Sequence, residues 1–283
     1  MRVVDPVADQ ASGLRRLLMR PPAQAWRFVG CESRVGATSL AVNLAAVLVQ
    51  AGEEVLMLDE HLSSTNVGNM LFVKPRHDLL QVIRGDKALS DVMLKASARL
   101  QVLPVARAVR ELPRLSPTER QRLHDCLSAA SSNVEVVLVD AGLPEKCLMT
   151  DAGLSMSRLV LVTECTAGGI TACYRQVKRL AHQGQTQPLH VLVNQVPRGC
   201  DAQSIFDHLA GMAYERLKVP LTCLGYVPVD DRFSRATQWQ GCVATSFPGS
   251  AAARALTAIG VAMARMKAGI FPDSTAGRMM TFV

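Results

Sequence analysis

The chain has 283 residues and a mass of 30.5 kDa, enough to bury a large core without disulfides or metals. Apolar residues make up 49% and charged ones 19%, which excludes a disordered chain, and the longest apolar stretches, Leu40–Val49 and Val134–Val139, fall short of the ~18-residue run that spans a bilayer. A net charge of +7 allows an acidic partner, but aromatics at 4% argue against a base-stacking surface for single-stranded nucleic acid.

In chain order, Met1–Pro22 comes first and carries Asp5, Pro6 and Asp9 where a secretory signal would have its apolar segment, so a cytoplasmic protein is expected. Within it, Asp9–Leu18 sets Ala11, Leu14, Leu17 and Leu18 at helical spacing beside Arg15, Arg16 and Arg20, and Pro21-Pro22 ends the pattern. That is a short amphipathic helix, either lying on the domain's own surface or offered to a partner's groove.

From there the chain alternates short Val/Leu-rich runs with helical patterns. The runs are Trp26–Gly30, Glu54–Asp59, Leu100–Val105, Val134–Asp140, Arg158–Glu164, Leu189–Val196 and Leu221–Val229. The helical stretches are Ser39–Gln50, Pro117–Ala130, Thr171–Gln183, Asp201–Leu217 and Ser250–Lys267. Continuous apolar strands separated by helices predict an α/β fold, a mostly parallel sheet covered on both faces. Right-handed crossovers then bring the strands' C-terminal ends to one edge, where such folds bind ligands. The expected organisation is an N-terminal segment 1–22, one domain over 23–271 and a flexible tail 272–283.

The eight cysteines are scattered without a C-x-x-C pair, so zinc spacing is absent and buried thiols are expected. Arg99, Arg107, Arg110, Arg114, Arg120 and Arg122 form a basic stretch that reads as a solvated face, because no nucleic-acid motif accompanies it. Ser250–Phe271 carries Leu256, Ile259, Met263, Met266 and Ile270. It reads as a final helix packed on the sheet, since alanine dominates where a membrane-surface helix prefers bulkier residues.

The chemistry concentrates after the first strand. Phe28-Val-Gly-Cys-Glu-Ser-Arg-Val-Gly-Ala-Thr-Ser-Leu-Ala-Val-Asn-Leu-Ala46 leaves a strand and opens a helix, where loop amides and a helix N-terminus favour an anion. By itself the segment lacks the lysine of G-x-x-x-x-G-K-[ST], and a plain strand–turn–helix with Thr38 or Ser39 near the N-cap would read the same. Two later strand ends add to it: Leu58-Asp-Glu-His-Leu-Ser-Ser-Thr-Asn-Val67 and Leu138-Val-Asp-Ala-Gly-Leu143.

In this order, the three loops resemble the P-loop, switch I and switch II of the MinD/ParA family of deviant Walker A ATPases. That resemblance implies a three-layer P-loop NTPase-like fold, with ATP and Mg as cofactors. It places nucleotide contacts at Arg34, Val35, Gly36, Ala37, Thr38, Ser39, Asp59, Asp140 and Asn194, the last at the end of Val191-Leu-Val-Asn194, with Thr38 and Asp140 on the Mg. Over residues 9 to 268 the chain is more specifically similar to the flagellar-number regulators of the FlhG/FleN subgroup. This likeness rests on Asp9-Gln-Ala-Ser-Gly-Leu-Arg15, Leu79-Leu-Gln-Val-Ile-Arg-Gly85, Leu103-Pro104, Leu224-Gly-Tyr-Val-Pro228 and Phe247-Pro-Gly-Ser-Ala-Ala-Ala-Arg254. It implies that Asp9, Gln10, Leu14, Arg15 and Leu17 dock on an FlhF-type signal-recognition GTPase. Flagellar switch proteins or a transcription activator, a nucleotide-dependent homodimer and a peripheral place at the inner face of the membrane follow as further expectations.

The departures from the family pattern fall on charge. Ala37 stands where the phosphate-binding lysine belongs, Glu32 replaces the signature lysine, Ser33 and Arg34 replace two glycines, and His61 replaces the switch I carboxylate that supports the attacking water. One lost charge-assisted bond of ~1.5–3 kcal/mol weakens binding about ten- to a hundredfold. Glu32 adds repulsion toward a triphosphate of about four negative charges. The expectation is a regulator with little or no ATP hydrolysis. A working ATP-switched dimeric ATPase and a DNA-binding partitioning protein are the alternatives. His61 has no Cys or second His beside it for a metal, and the other five histidines read as surface or loop residues.

Overall fold

The structure is a computed structural model and describes residues 23–61, 67–142, 157–184, 188–239 and 241–267. The N-terminal helix expected at 9–18 and the tail 272–283 lie outside the described residues. Strand β1 (Gln24–Gly30) shows the building rule: Trp26 and Phe28 enter one apolar layer, Ala25 and Val29 the other. Strands β2 (Val55–Asp59), β3 (Leu94–Lys95), β4 (Leu100–Pro104), β5 (Val136–Ala141), β6 (Ser157–Glu164), β7 (Leu189–Val196) and β8 (Leu221–Pro228) complete the sheet in the order β3-β4-β2-β5-β1-β6-β7-β8. Neighbours pair in parallel except β3 with β4, a two-residue edge too short to leave a pattern in the sequence. The seven longer strands coincide with the seven apolar runs to within two residues.

On the Trp26 face lies helix α1 (Ala37–Gln50), which enters the core through Leu40, Leu44 and Leu48, spaced four apart and fully buried. At about 1.5–3 kcal/mol for each buried leucine, this stripe is what fixes the helix behind the phosphate loop. Asn43, the polar break in the run, is buried because both ends of its amide are used: Nδ2 donates to Ser39 O at 2.8 Å and Oδ1 accepts from Val243 N at 2.7 Å. Between α1 and the C-terminal helix come α2 (Val67–Met70), α3 (Leu79–Ile83), α4 (Leu89–Val92), α5 (Ala106–Glu111), α6 (Pro117–Ser131), α7 (Ala167–His182), α8 (Ala202–Leu217), α9 (Asp231–Gln238) and α10 (Val243–Ser246). The last, α11 (Ala251–Lys267), buries Ala252, Leu256, Ile259 and Met263 in the same layer as α1. Its contact with α1 is close: a Cβ on Gly260 would lie 2.5 Å from Val47 Cγ1. The opposite face is covered by α3 and α5 to α8.

One histidine reading is corrected. His190 is not a surface or loop residue: it lies buried on β7, its ring centroid 5.2 Å from that of Trp26, because its pleat position puts it on the same face of the sheet as Trp26, with β6 between their strands. The basic stretch is partly structural. Arg99 donates to Gly52 O at 2.6 Å, Arg120 to Leu112 O at 2.8 Å and Arg122 to Ile83 O at 3.2 Å, so these three guanidiniums satisfy loop and helix-end carbonyls.

Candidate functional site

The C-terminal ends of β1, β2, β5 and β7 converge at one edge, and the loop after β1 turns there. Gly30 lets it fold back, since a Cβ would sit 2.9 Å from both Glu32 O and Val35 Cγ2. Cys31 N then donates to Val162 O of β6 at 2.8 Å. Arg34 (φ 65) and Gly36 (φ 86) take left-handed conformations, whereas Ser33 does not. Of these two loop residues, therefore, only Arg34 needs positive φ, and the loop keeps its turn despite a side chain there.

Val35 is buried and its carbonyl accepts from Asn194 Nδ2 at 2.8 Å. Asn194 also fixes the next residue: a side chain on Gly36 would come within 2.7 Å of that same nitrogen. Gly36 caps α1 with no side-chain hydrogen bond and no acidic residue in the first turn. Leu40 N to Gly36 O, 2.9 Å, is the first bond of the helix, which leaves the amides of Ala37, Thr38 and Ser39 ahead of it for an anion. The Ser39 hydroxyl turns to Met70 Sδ at 3.9 Å. Glu32, Ser33 and Arg34 are exposed at the rim.

Two buried carboxylates stand behind the loop, on paired positions of β2 and β5. Asp59 accepts from His61 N at 3.0 Å; burial raises its pKa, with the amides of His61, Gly68 and Val67 opposing. Asp140 is fully buried, and burial pushes its pKa up to about 6; the His61 ring and the Thr38 hydroxyl pull it down, while Asp59 raises it. Neither oxygen of Asp140 has a well-formed hydrogen bond. His61 Nε2 stands 3.7 Å from Oδ1, its side chain 33% exposed, so the imidazole closes the outer side of the carboxylate.

Sequence reasoning missed the residue that ties the two strand ends together. Glu60 N donates to Asp140 O at 3.1 Å, and Glu60 Oε2 accepts from Gly142 N at 3.2 Å. The same oxygen lies 3.8 Å from Arg27 Nη2, with both side chains nearly inaccessible. Burial pushes Glu60 up to about 7, because Arg27 and the Gly142 amide offset only part of the desolvation. A signal was there: Arg27 is the lone charge inside the first apolar run, and a buried guanidinium demands a counter-charge.

The structure thus brings together Val35, Gly36, Ala37, Thr38, Asp59, His61, Asp140 and Asn194. Asp9, Gln10, Leu14, Arg15 and Leu17 lie outside the described residues. A family model described as an AAA domain matches residues 32–190. The antiactivator FleN of Pseudomonas aeruginosa is 30% identical over 240 residues, 84% of this chain and 85% of FleN. Two solved structures share the fold. MinD of Pyrococcus horikoshii, complexed with Mg-ADP, is 21% identical at a TM-score of 0.62, covering 89% of this chain and 99% of MinD. The MinC:MinD complex of Aquifex aeolicus matches at 18% identity and a TM-score of 0.63, covering 90% of this chain and 99% of the matched one.

Proposed function

We infer that this chain, which belongs to the FlhG/FleN branch of the MinD/ParA-type ATPase family, regulates flagellar number and flagellum assembly by binding partners. The observation that carries this reading is the similarity to the antiactivator FleN over 240 residues, far beyond the phosphate loop. Its direct test is deletion in the parent bacterium with flagella counted by electron microscopy. An altered number per cell is expected, and an unchanged number overturns the role.

The site supports a nucleotide in geometry more than in charge. Gly36 through Ser39 supply a cradle of amides, Thr38 and the buried carboxylate of Asp140 suit a magnesium ion, and Asn194 borders the loop. Bound magnesium would neutralise phosphate charge; among the loop's own residues the only cation is Arg34 at the rim. Ala37 and Glu32 leave the phosphate without its two lysines, and His61 leaves an attacking water without its carboxylate. We therefore read the site as weakly binding and hydrolytically slow. A turnover rate usual for the family, abolished by Asp140→Ala, would sink that reading. Calorimetry with Mg-ATP should show Glu32→Lys with Ala37→Lys binding at least tenfold tighter than the unchanged chain, by ~1.5–3 kcal/mol for each restored charge-assisted bond. No gain would mean that the loop does not receive phosphate.

Action through partners follows from the same site, because a slow switch must transmit by binding. The N-terminal segment, with Leu14 and Leu17 as apolar anchors beside Asp9, Gln10 and Arg15, suits an FlhF-type GTPase. A peptide of residues 1–20 should bind and stimulate that GTPase; if only the chain lacking those residues does so, the assignment fails. The word antiactivator in the relative's name points to a transcription activator as a second partner, and the MinC:MinD complex is a precedent for this fold acting through a bound protein. A homodimer and peripheral membrane contact belong to the same proposal. Among the described residues no helix is long and apolar enough to cross a membrane.

A further inference from the structure

Two cysteines that are far apart in the chain meet beside the site. Cys165 follows β6 and precedes Thr166, the cap of α7; Cys200 follows the β7 turn and precedes Asp201, the cap of α8. Their Sγ atoms are 2.9 Å apart. Neighbouring contacts fix both backbones: Thr166 Oγ1 accepts from Gly169 N at 3.0 Å, Asp201 Oδ1 from Ser204 N at 3.1 Å, and Gln195 Nε2 donates to Glu164 Oε1 at 3.0 Å between the two connections. A disulfide of about 2.05 Å needs the sulfurs to approach by under ~1 Å more, within the reach of small side-chain rotations.

We propose that Cys165 and Cys200 form a reversible thiol-oxidation site, closed to an intramolecular disulfide by hydrogen peroxide or another small hydroperoxide. The two thiols differ in access. Cys165 is buried, and burial together with the neighbouring Cys200 raises its pKa to about 11, so it is the slower nucleophile. Cys200 is half-buried and meets the oxidant first. Its thiolate attacks one peroxide oxygen, the O–O bond breaks, and the departing oxygen takes up a proton to leave as water (as an alcohol from an organic hydroperoxide), leaving a sulfenic acid. The Cys165 sulfur then attacks the Cys200 sulfur, the S–O bond breaks, and a second water leaves with the Cys165 proton. Two thiols lose two electrons and peroxide gains them. The bridge clamps β7, which carries Asn194, to β6 at the edge where the phosphate loop turns.

The test uses the full-length reduced protein, treated with a few equivalents of hydrogen peroxide, alkylated, and digested with trypsin without reductant. Mass spectrometry should find Leu159–Arg175 linked to Gly199–Arg216, with the link lost on adding dithiothreitol. The first peptide also contains Cys173, so the link must persist in Cys173→Ser. In Cys165→Ser, the sulfenic acid on Cys200 should accumulate and be captured by dimedone, a readout that needs no disulfide. The oxidised chain should melt several degrees higher than the reduced one and return on reduction. Absence of the linked pair, whichever other cysteine reacts, or its loss in Cys173→Ser, overturns the proposal. A Cys165→Ser chain whose Cys200 takes no dimedone overturns the order of steps and with it the assignment of Cys200 as the entry point.

Discussion

The loop after β1 and the strand ends behind it sit at one edge of one sheet but are held by different physics. The loop is exposed and held by backbone: Gly30 closes its bend, Arg34 and Gly36 set its left-handed turns, and Val35 hangs on Asn194. None of these contacts depends on a charged side chain, so the turn stands whatever charge positions 32 and 37 carry. The ends of β2 and β5 are buried and held by charge, with Asp59, Glu60, Asp140 and Arg27 all shielded from water. There, one charge cannot change without its neighbours answering. The loop's shape is therefore independent of the charge it presents, while the strand ends are not.

The largest expected effect comes from breaking the charged side. Arg27→Met leaves Glu60 without its cation, and removal of one partner of a buried ion pair costs about 3–5 kcal/mol. The loss in urea-unfolding free energy should be largest near about pH 8 and smaller near pH 5, where Glu60 holds a proton and needs no cation. Arg27→Met with Glu60→Gln should recover much of it. A single-mutant loss below about 1 kcal/mol at both pH values would show that the 3.8 Å pair contributes as little as a surface contact.

The same carboxylates predict a pH profile. Burial raises Glu60 from 4.5 to about 7 and Asp140 from 3.8 to about 6, so between these limits the folded chain binds more protons than the unfolded one. Stability then falls as pH rises through that window, opposite to a protein with salt-bridged surface carboxylates. Each tenfold gain in proton affinity on folding is worth about 1.4 kcal/mol, so Glu60 alone accounts for a decline on the order of 3 kcal/mol from about pH 5 to pH 8. Chemical denaturation across that range should show it, and Glu60→Gln should remove Glu60's share and leave the part due to Asp140. Stability that rises with pH would mean Arg27 holds Glu60 ionised, and the charged side would then resemble an ordinary ion pair.

What was legible in the sequence divides along the same line. The seven long strands, the five main helices and the three strand-end loops were readable because each leaves a local pattern: an apolar run, a helical spacing, an Asp after a strand. The same pattern placed Asp59 and Asp140 at the ends of β2 and β5. Glu60's part was not legible, because its partners Arg27 and Gly142 are distant in the chain and only the register of β1, β2 and β5 brings them together. The Cys165–Cys200 contact was invisible for the same reason, being made by neighbouring strands and not by spacing. His190 was misread because a polar residue in an apolar strand looks exposed until Trp26 is seen to pack on it. The loop's conformation was the subtlest case: Ser33 and Arg34 look alike in sequence as loop residues, and only the backbone angle separates them.

That difference yields the smallest and sharpest prediction. Arg34, at φ 65, carries the left-handed penalty of a residue with a Cβ, roughly 1–2 kcal/mol, part of which the loop's other contacts must offset. Arg34→Gly removes the penalty but adds freedom to the unfolded chain worth about 0.5–1 kcal/mol, so the net should be a gain of up to about 1.5 kcal/mol. Ser33 lies outside the left-handed region, and Ser33→Gly carries only the entropic loss, a destabilisation of about 0.5–1 kcal/mol. Two glycine substitutions at adjacent positions should therefore move the urea midpoint in opposite directions. Arg34→Ala is the control: it keeps the Cβ and the strain, removes the guanidinium, and should leave stability near that of the parent chain. A loss in Arg34→Ala comparable to an ion pair would mean that the loop, too, is held by charge, because the backbone alone would not then account for its shape. Opposite shifts at 33 and 34 with a neutral Arg34→Ala would mean that the turn belongs to the backbone, independent of side-chain charge.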